Sequence, residues 1–305
     1  MQHADLHRID AEVFDDRIDL IAQDFRRNAM NRAYTQRVLS GQRSNRRHAV
    51  TTQGGKGFQV GLKTFAALGC YGMTAITALT AQNTLGVRAI HGVPPEILRD
   101  QIDAVVEDIG VDAVKIGMLH SPEIVQTVAA AIDRHALQNV VVDPVMVATS
   151  GGKLLEDEAV RTLTAELLPL ATLITPNMDE ARVLWERDVV SLDDMAACAR
   201  DLSARFGTAV LVKGGHLRGD AADVLCHQGE ISWHTAPRTA GVHTHGTGCT
   251  FSAAIATGLA HGLALNQAVA QAKQFVSRAI AQHFVWQSAG ADRVHALNHL
   301  QQTGA

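Results

Sequence analysis

From residue 57 onward, apolar positions alternate between two periods. Helical spacing fits 57–68, 94–108, 121–135, 156–168, 178–186, 192–206, 247–262 and 265–284. Between these runs lie short β-rich segments at Met73–Leu79, Ala113–Gly117, Val140–Asp143, Thr172–Thr175 and Ala209–Lys213. A last pair, Asp223–His227 and Ile231–His234, flanks Gln228-Gly229-Glu230, which reads as a hairpin turn. Val140-Val141-Val142-Asp143 is apolar until its final residue, as expected of a strand covered on both faces. Strand–helix alternation of this kind predicts an α/β fold of three layers with a mostly parallel central sheet.

Residues 1–50 have a different character. They hold nine Arg, six Asp and one Glu but no Lys, and the first lysine is Lys56. Phe14, Ile18, Ile21 and Phe25 recur at helical spacing, with Met30, Tyr34 and Val38 less regular and Asp10 placed to cap. Ser40–Arg47 reads as an exposed linker. The expected organisation is therefore an Arg-rich arm at 1–50, either an amphipathic helix or poorly ordered, followed by one domain at 51–305.

Composition narrows the function classes. A chain of 305 residues, 47% hydrophobic, can bury a full core. A net charge of -4 gives no electrostatic case for nucleic acid or an anionic membrane. Cys70, Cys198, Cys226 and Cys249 lie far apart, which argues against a zinc knuckle or a disulfide framework and fits a reducing cytoplasm. The fifteen histidines form no close ligand pattern. No apolar run is long enough to span a bilayer, and no signal-peptide core is present. The expectation is a cytoplasmic globular protein.

In a parallel sheet ligands bind beyond the C-terminal ends of the strands. Polar residues cluster at those positions: Thr80-Ala81-Gln82-Asn83, Met118, Asp143-Pro144-Val145-Met146, Asn177-Met178-Asp179-Glu180 and Lys213-Gly214-Gly215-His216. Each has a plain reading. Asp143 could form a turn, Asn177 and Glu180 could close a capping box, and Lys213 could be a solvated charge.

His245-Gly246-Thr247-Gly248-Cys249-Thr250 adds an anion-binding pattern where an apolar helix begins. Its glycines let backbone N–H groups converge at a helix N-terminus, and the field there favours a Cys249 thiolate. Acidic groups for Mg²⁺, a lysine for phosphate and an N–H-lined loop are the parts of a phosphoryl-transfer site. No P-loop and no protein-kinase signature set is present. Gly54-Gly55-Lys56-Gly57 is a weaker glycine signal that follows no predicted strand.

Seven stretches occur in order: Leu62–Met73, Ile76–Thr84, Val114–Met118, Val142–Met146, Thr175–Glu180, Val212–His216 and His245–Thr250. From about residue 54 to about 285 the chain closely resembles the hydroxymethylpyrimidine/phosphomethylpyrimidine kinases of thiamine biosynthesis, in the ribokinase-like superfamily. The resemblance implies ATP-dependent phosphorylation of 4-amino-5-hydroxymethyl-2-methylpyrimidine and then of its monophosphate. On matching positions it implies that Gln82, Met118 and Val145 bind the pyrimidine and that Cys249 is the general base. It further implies an anion hole at Gly246, Thr247 and Gly248, Lys213 in the nucleotide site, and Asp143, Asn177 and Glu180 organising Mg²⁺, water and phosphate. A homodimer is implied as well. Pyridoxine or pyridoxal kinase activity is the near alternative, and a non-catalytic ligand-binding paralogue the distant one.

The likeness departs from the family at its N-terminal end. Gly61 stands where the family has an aspartate toward the pyrimidine, and Lys56 replaces a small pocket residue. Asn45-Arg46-Arg47-His48 occupies the place of an apolar first strand, and charge cannot be buried there unpaired. The first strand is therefore in doubt. A frame or start-site error upstream of residue 54, a diverged copy, or a substitute element from the arm would each account for this. Residues 286–305 carry at best a degraded form of the family's ending.

Overall fold

The computed structural model describes residues 47–52, 57–83, 86–146, 155, 157–215, 219–242, 244–287 and 293–301. All of these belong to the compact unit Arg46–Ala305. The predicted arm helix, the linker up to Arg46, Gly54–Lys56, Thr149–Gly152 and His216 lie outside the described residues.

The doubtful first strand exists. β1 (Arg47–Thr52) lies between β2 (Cys70–Ala75) and β5 (Ala113–Ile116), parallel to both. Its burial explains how charged residues are tolerated. Only Ala49–Thr52 are buried, while Arg47 is exposed at the sheet rim, 3.8 Å from the Asp112 carboxylate. The same carboxylate accepts the His48 N–H at 2.8 Å. The strand thus starts inside the stretch assigned to the arm, and the glycine run at 54–57 does follow a strand.

The remaining parallel strands are β6 (Val140–Val142), β7 (Leu173–Ile174) and β8 (Ala209–Lys213), followed by the antiparallel pair β9 (Ala221–His227) and β10 (Glu230–Ala236). The eight-stranded order is β10-β9-β8-β7-β6-β5-β1-β2. Along that order all five pairings from β2 to β8 are parallel, which bears out the expected α/β class. One face is covered by α2 (Pro95–Asp108), α3 (Pro122–His135), α4 (Asp157–Thr162), α5 (Met178–Trp185) and α6 (Leu192–Phe206). The other is covered by α1 (Gly57–Ala67), α7 (Thr247–Ala260) and α8 (Leu265–Ala281). Side chains such as Leu98, Ile116, Leu173 and Phe65 are sealed between layers, each contributing about 1.5–3 kcal/mol.

Three elements depart from the expected spans, and in the first of them the helix expected at 156–168 is α-helical only to Thr162, widening over Leu163–Leu167 and tightening over Leu168–Leu170. The strand expected at 73–79 is split into β2 and β3 (Ala78–Asn83), and β3 pairs with β4 (Gly86–Gly92) as a separate two-stranded ribbon. The Gln101 side chain makes the break possible. Its Oε1 accepts the Ile76 N–H at 2.9 Å and its amide donates to the Ile76 carbonyl at 3.2 Å, as a neighbouring strand would. The helix expected at 265–284 stops at Ala281, and Phe284–Gln287 becomes β12. β12 pairs with β13 (Arg293–Ala296), which also carries β11 (Thr244–His245).

α7 is apolar all round and buried from Thr250 to Ala260, so it passes through the protein instead of along its surface. Gly258 permits its close packing on α8, because a Cβ there would lie 2.9 Å from the Ala268 Cβ.

Candidate active site

Asp143 directly follows β6, and its N–H donates to the Ile116 carbonyl at 2.8 Å before Pro144 turns the chain. The side chain is 2% exposed and accepts from several groups. Lys213 Nζ, at the end of β8, donates to Oδ1 at 2.6 Å, and the Thr175 hydroxyl lies 3.3 Å from the same oxygen. The Ser252 hydroxyl of α7 lies 3.3 Å from Oδ2, and Lys115 Nζ of β5 is 3.9 Å away. Four elements therefore converge on one carboxylate. Burial by itself would raise the Asp143 carboxyl, but the Lys213 and Lys115 charges outweigh it and hold the group below its ordinary range.

Lys213 is fixed along its backbone as well, since its N–H donates to the Pro176 carbonyl at 2.9 Å and it bridges to Asn177. Burial opposes its charge, yet the carboxylates of Asp143 and then Glu180 keep the ammonium above its ordinary value. The start of α7 lies over this pair. A Cβ at Gly248 would stand 3.2 Å from Lys213 Nζ and 3.8 Å from Asp143 Oδ2, so glycine lets the helix N-terminus approach the charges. Gly246 takes a left-handed φ of 87° to begin that turn, and the Thr250 N–H closes it on the Gly246 carbonyl at 2.8 Å. Thr247, Gly248 and Cys249 form the first turn, with Cys249 partly exposed.

Asn177 and Glu180 realise the capping box. Asn177 Oδ1 accepts the Glu180 N–H at 2.9 Å, and Glu180 Oε2 accepts the Asn177 N–H at 2.8 Å. Glu180 is nonetheless more than a cap. It is 3% exposed, and burial raises its carboxyl to about 7; Lys213 opposes that rise and the neighbouring Asp143 charge adds to it. Two buried, mutually repelling carboxylates are hard oxygen donors of the kind Mg²⁺ takes, with its remaining positions left to water and phosphate. The donor set fits that ion. The one group of three or more His, Cys, Asp or Glu side chains close enough to share an ion, among the described residues, is Asp103, Glu107 and His135. It lies elsewhere, on α2 and α3, and Arg134 already pairs with Asp103.

The structure thus brings Asp143, Glu180, Asn177, Lys213, Gly248 and the Cys249 loop into one cluster. Of the expected substrate residues, Val145 adjoins the cluster, and Gln82 and Met118 are carried by other elements. Gln82 is exposed on the β3–β4 ribbon, in a sheet separate from the one bearing Asp143 and Lys213. Met118 is buried beyond β5, with its carbonyl accepting the Thr77 hydroxyl at 2.8 Å. Val145 is half-buried beside Asp143. Gly61 faces β1, where a Cβ would lie 3.2 Å from Thr51 Cγ2. Gly246 also borders α1, since a Cβ there would lie 3.3 Å from Val60 Cγ2.

Sequence reasoning missed Lys115, Thr175 and Ser252 as members of this cluster. Lys115 had a readable signal, a charged residue in a run otherwise apolar enough to be covered on both faces. Its Nζ is fully buried without a hydrogen-bond partner, so the Asp143 charge is what it answers to.

Comparison with known proteins shows the family and the fold. Residues 52–294 match the family model for phosphomethylpyrimidine kinase. A hydroxymethylpyrimidine/phosphomethylpyrimidine kinase of Rhizobium meliloti (strain 1021) is 49% identical over 232 residues, covering 75% of this chain and 86% of that protein. The thiamine biosynthesis bifunctional protein ThiED of Geobacter sulfurreducens is 48% identical over 228 residues, 74% of this chain, and the match spans 46% of its length. The structure of Staphylococcus aureus pyridoxal kinase in complex with AMP-PCP is similar with a TM-score of 0.76 at 29% identity, covering 85% of this chain and 96% of that one. Parallel sheet, strand-end charges and helix-start loop together define a kinase of the ribokinase-like class. Within that class the chain belongs to the phosphomethylpyrimidine kinase family.

Proposed function

We propose that this chain transfers the γ-phosphoryl group of ATP to the hydroxymethyl oxygen of 4-amino-5-hydroxymethyl-2-methylpyrimidine, and then to the resulting monophosphate, in thiamine biosynthesis. The observation that carries the reading is the Asp143–Lys213 pair held under the Gly248 end of α7, with Cys249 in the same turn. The relatives' names supply the substrate class.

The residues divide the work by position. Cys249 takes the hydroxymethyl proton; the freed oxygen attacks the γ-phosphorus, the bond to the β-phosphate oxygen breaks, and ADP leaves. Amides of Gly246, Thr247 and Gly248 receive the charge that grows on the transferring oxygens. Lys213 offers its ammonium to phosphate, while Asp143 and Glu180 would hold Mg²⁺, with Asn177 keeping Glu180 oriented through the cap. Bound Mg²⁺ supplies positive charge to the phosphate oxygens. Gln82, Met118 and Val145 would receive the pyrimidine. The matching structure with AMP-PCP supports an ATP site.

Coupled ADP release by the purified chain with Mg²⁺, ATP and the hydroxymethylpyrimidine tests the reading. Pyridoxal as the better substrate would move the assignment to the pyridoxal kinases, to which the structural likeness also points. No turnover with either, alongside measurable pyrimidine binding, would make the chain a binding paralogue disabled around Gly61. Among the described residues no helix is long and apolar enough to cross a membrane. The dispersed placing of the four cysteines supports a cytoplasmic setting, and the family likeness supports a homodimer, which sedimentation would check.

A further inference from the structure

The C-terminal segment has no part in the chemistry above, yet it touches the transfer loop from both sides. β11, immediately before Gly246, pairs in parallel with β13 through Thr244↔His295 and His245↔Ala296. Immediately after Cys249, the Thr250 hydroxyl lies 3.0 Å from His299 Nε2. Thr250 is fully buried and His299 is 8% exposed, so solvent cannot replace this bond. The four residues Gly246–Cys249 are thus held between two points set by one stretch of chain.

That stretch is itself anchored. The Asn298 N–H donates to the Ala279 carbonyl at 3.2 Å, the Gln301 amide donates to the Phe275 carbonyl at 2.6 Å, and Leu297 is buried. Arg278 Nε donates to Gln301 Oε1 at 3.1 Å. All three hydrogen-bonded contacts are on α8, the helix packed against α7. Burial first, and then the Lys63 charge, hold His299 below its ordinary value, although a hydrogen bond to the Leu297 backbone opposes them. A ring that donates to the Leu297 carbonyl through one nitrogen accepts through the other. The Thr250 hydroxyl is then the donor to Nε2.

We infer that the segment 293–301 is a positioning element of the transfer loop, with His299 fixing its C-terminal end through Thr250 and β13 fixing its N-terminal end. This rests on the transfer reading of Gly246–Cys249 but is testable without it. Transfer needs the loop amides and the Cys249 thiol placed to a fraction of an ångström, and a buried side-chain bond beside the loop supplies that constraint.

His299→Ala and Thr250→Val each remove the bond while leaving β13 in place. Hydrogen exchange of the free protein should show amides at 246–250 exchanging about tenfold faster in both variants, as expected when one buried bond is lost. Exchange in the central strands should be unchanged. In turnover, kcat should fall about tenfold with little change in KM for either substrate. The double variant should be no worse than the poorer single, because the pair acts as one unit. His299→Gln, which retains an acceptor, should recover part of the loss. Unchanged exchange at 246–250 in both single variants, or losses that multiply in the double, would overturn the inference. If the wild-type chain phosphorylates nothing, the functional reading fails alone and the exchange data still decide this one.

Discussion

The side of the site proposed for transfer and the side proposed for the acceptor are built from different materials. Asp143, Glu180, Lys115 and Lys213 form a buried charge cluster drawn from the end of β6, the first turn of α5, the body of β5 and the end of β8, with each member facing the charge of at least one other. The acceptor side has an exposed Gln82 on a detached ribbon and a glycine at 61 packed on Thr51. Buried charges constrain one another, because removing one leaves its partner uncompensated. A half-exposed substrate wall has no such mutual enforcement. It can carry a glycine at 61, where the family resemblance implies a carboxylate, while the fold stands. The difference teaches which half of the site stability protects and which half it leaves free to change.

The comparison can be broken most directly at the loop. Cys249→Ala should lower kcat by about 10²–10⁴-fold with KM nearly unchanged, in a coupled ADP-release assay. Turnover at the wild-type rate would remove the thiol from the mechanism. Asp143→Asn comes next. It should cost roughly 10²–10³-fold in kcat. It should also destabilise the protein by about 3–5 kcal/mol, since Lys213 and Lys115 lose the charge that balances them. Denaturant unfolding separates the two effects, and a stable, inactive variant would show that the cluster serves chemistry without serving the fold.

On the acceptor side, Gly61→Asp should tighten pyrimidine binding by about tenfold, read by calorimetry, if a charged hydrogen bond is regained there. The new Cβ meets Thr51 Cγ2 at 3.2 Å, so the gain should come with about 1 kcal/mol of lost stability. Thr51→Ser, which removes that methyl, should relieve the crowding. Weaker binding in the double variant than in wild type would show that the acceptor wall is organised differently.

The smallest expected effect concerns pH. Glu180 is raised from 4.5 to about 7 in the folded chain, so between those values the native state keeps a proton that the unfolded chain has released. The contribution of Glu180 to stability is therefore full below about pH 4.5, declines as pH rises to about 7, and is level above that. Glu180→Gln keeps an acceptor for the Asn177 N–H and should flatten this slope, a difference on the order of a few degrees in melting temperature. Added Mg²⁺ should stabilise the wild type more at pH 8 than at pH 6, because the ion then displaces no proton. An equal gain at both values would place the ion away from Glu180.

Much of this was legible from residue order. Val140–Asp143 shows a strand covered on both faces and ending in a carboxylate, and Gly246–Cys249 before an apolar run shows a glycine-bearing helix start. Both depend on local pattern alone. The first strand was not legible, because Arg47 and His48 argue against burial until Asp112, far along the chain, is seen to receive them. The break at Ile76 was hidden for a similar reason, since Gln101 of α2 completes the backbone bonding there from a distant part of the chain. Lys115 looked like one charge in one strand, and only the neighbouring strand makes it part of a site.

By itself the sequence determined the parallel α/β architecture, the strand-end residues and the glycine-bearing helix start at 246–249, because periodicity and backbone chemistry are properties of neighbouring residues. Tertiary structure decided which charges meet. It paired Lys213 and Lys115 with Asp143, raised Glu180 by burying it beside that carboxylate, and brought His299 to the back of Thr250. Burial and proximity between distant segments set these energies, and neither is a property that adjacent positions can carry.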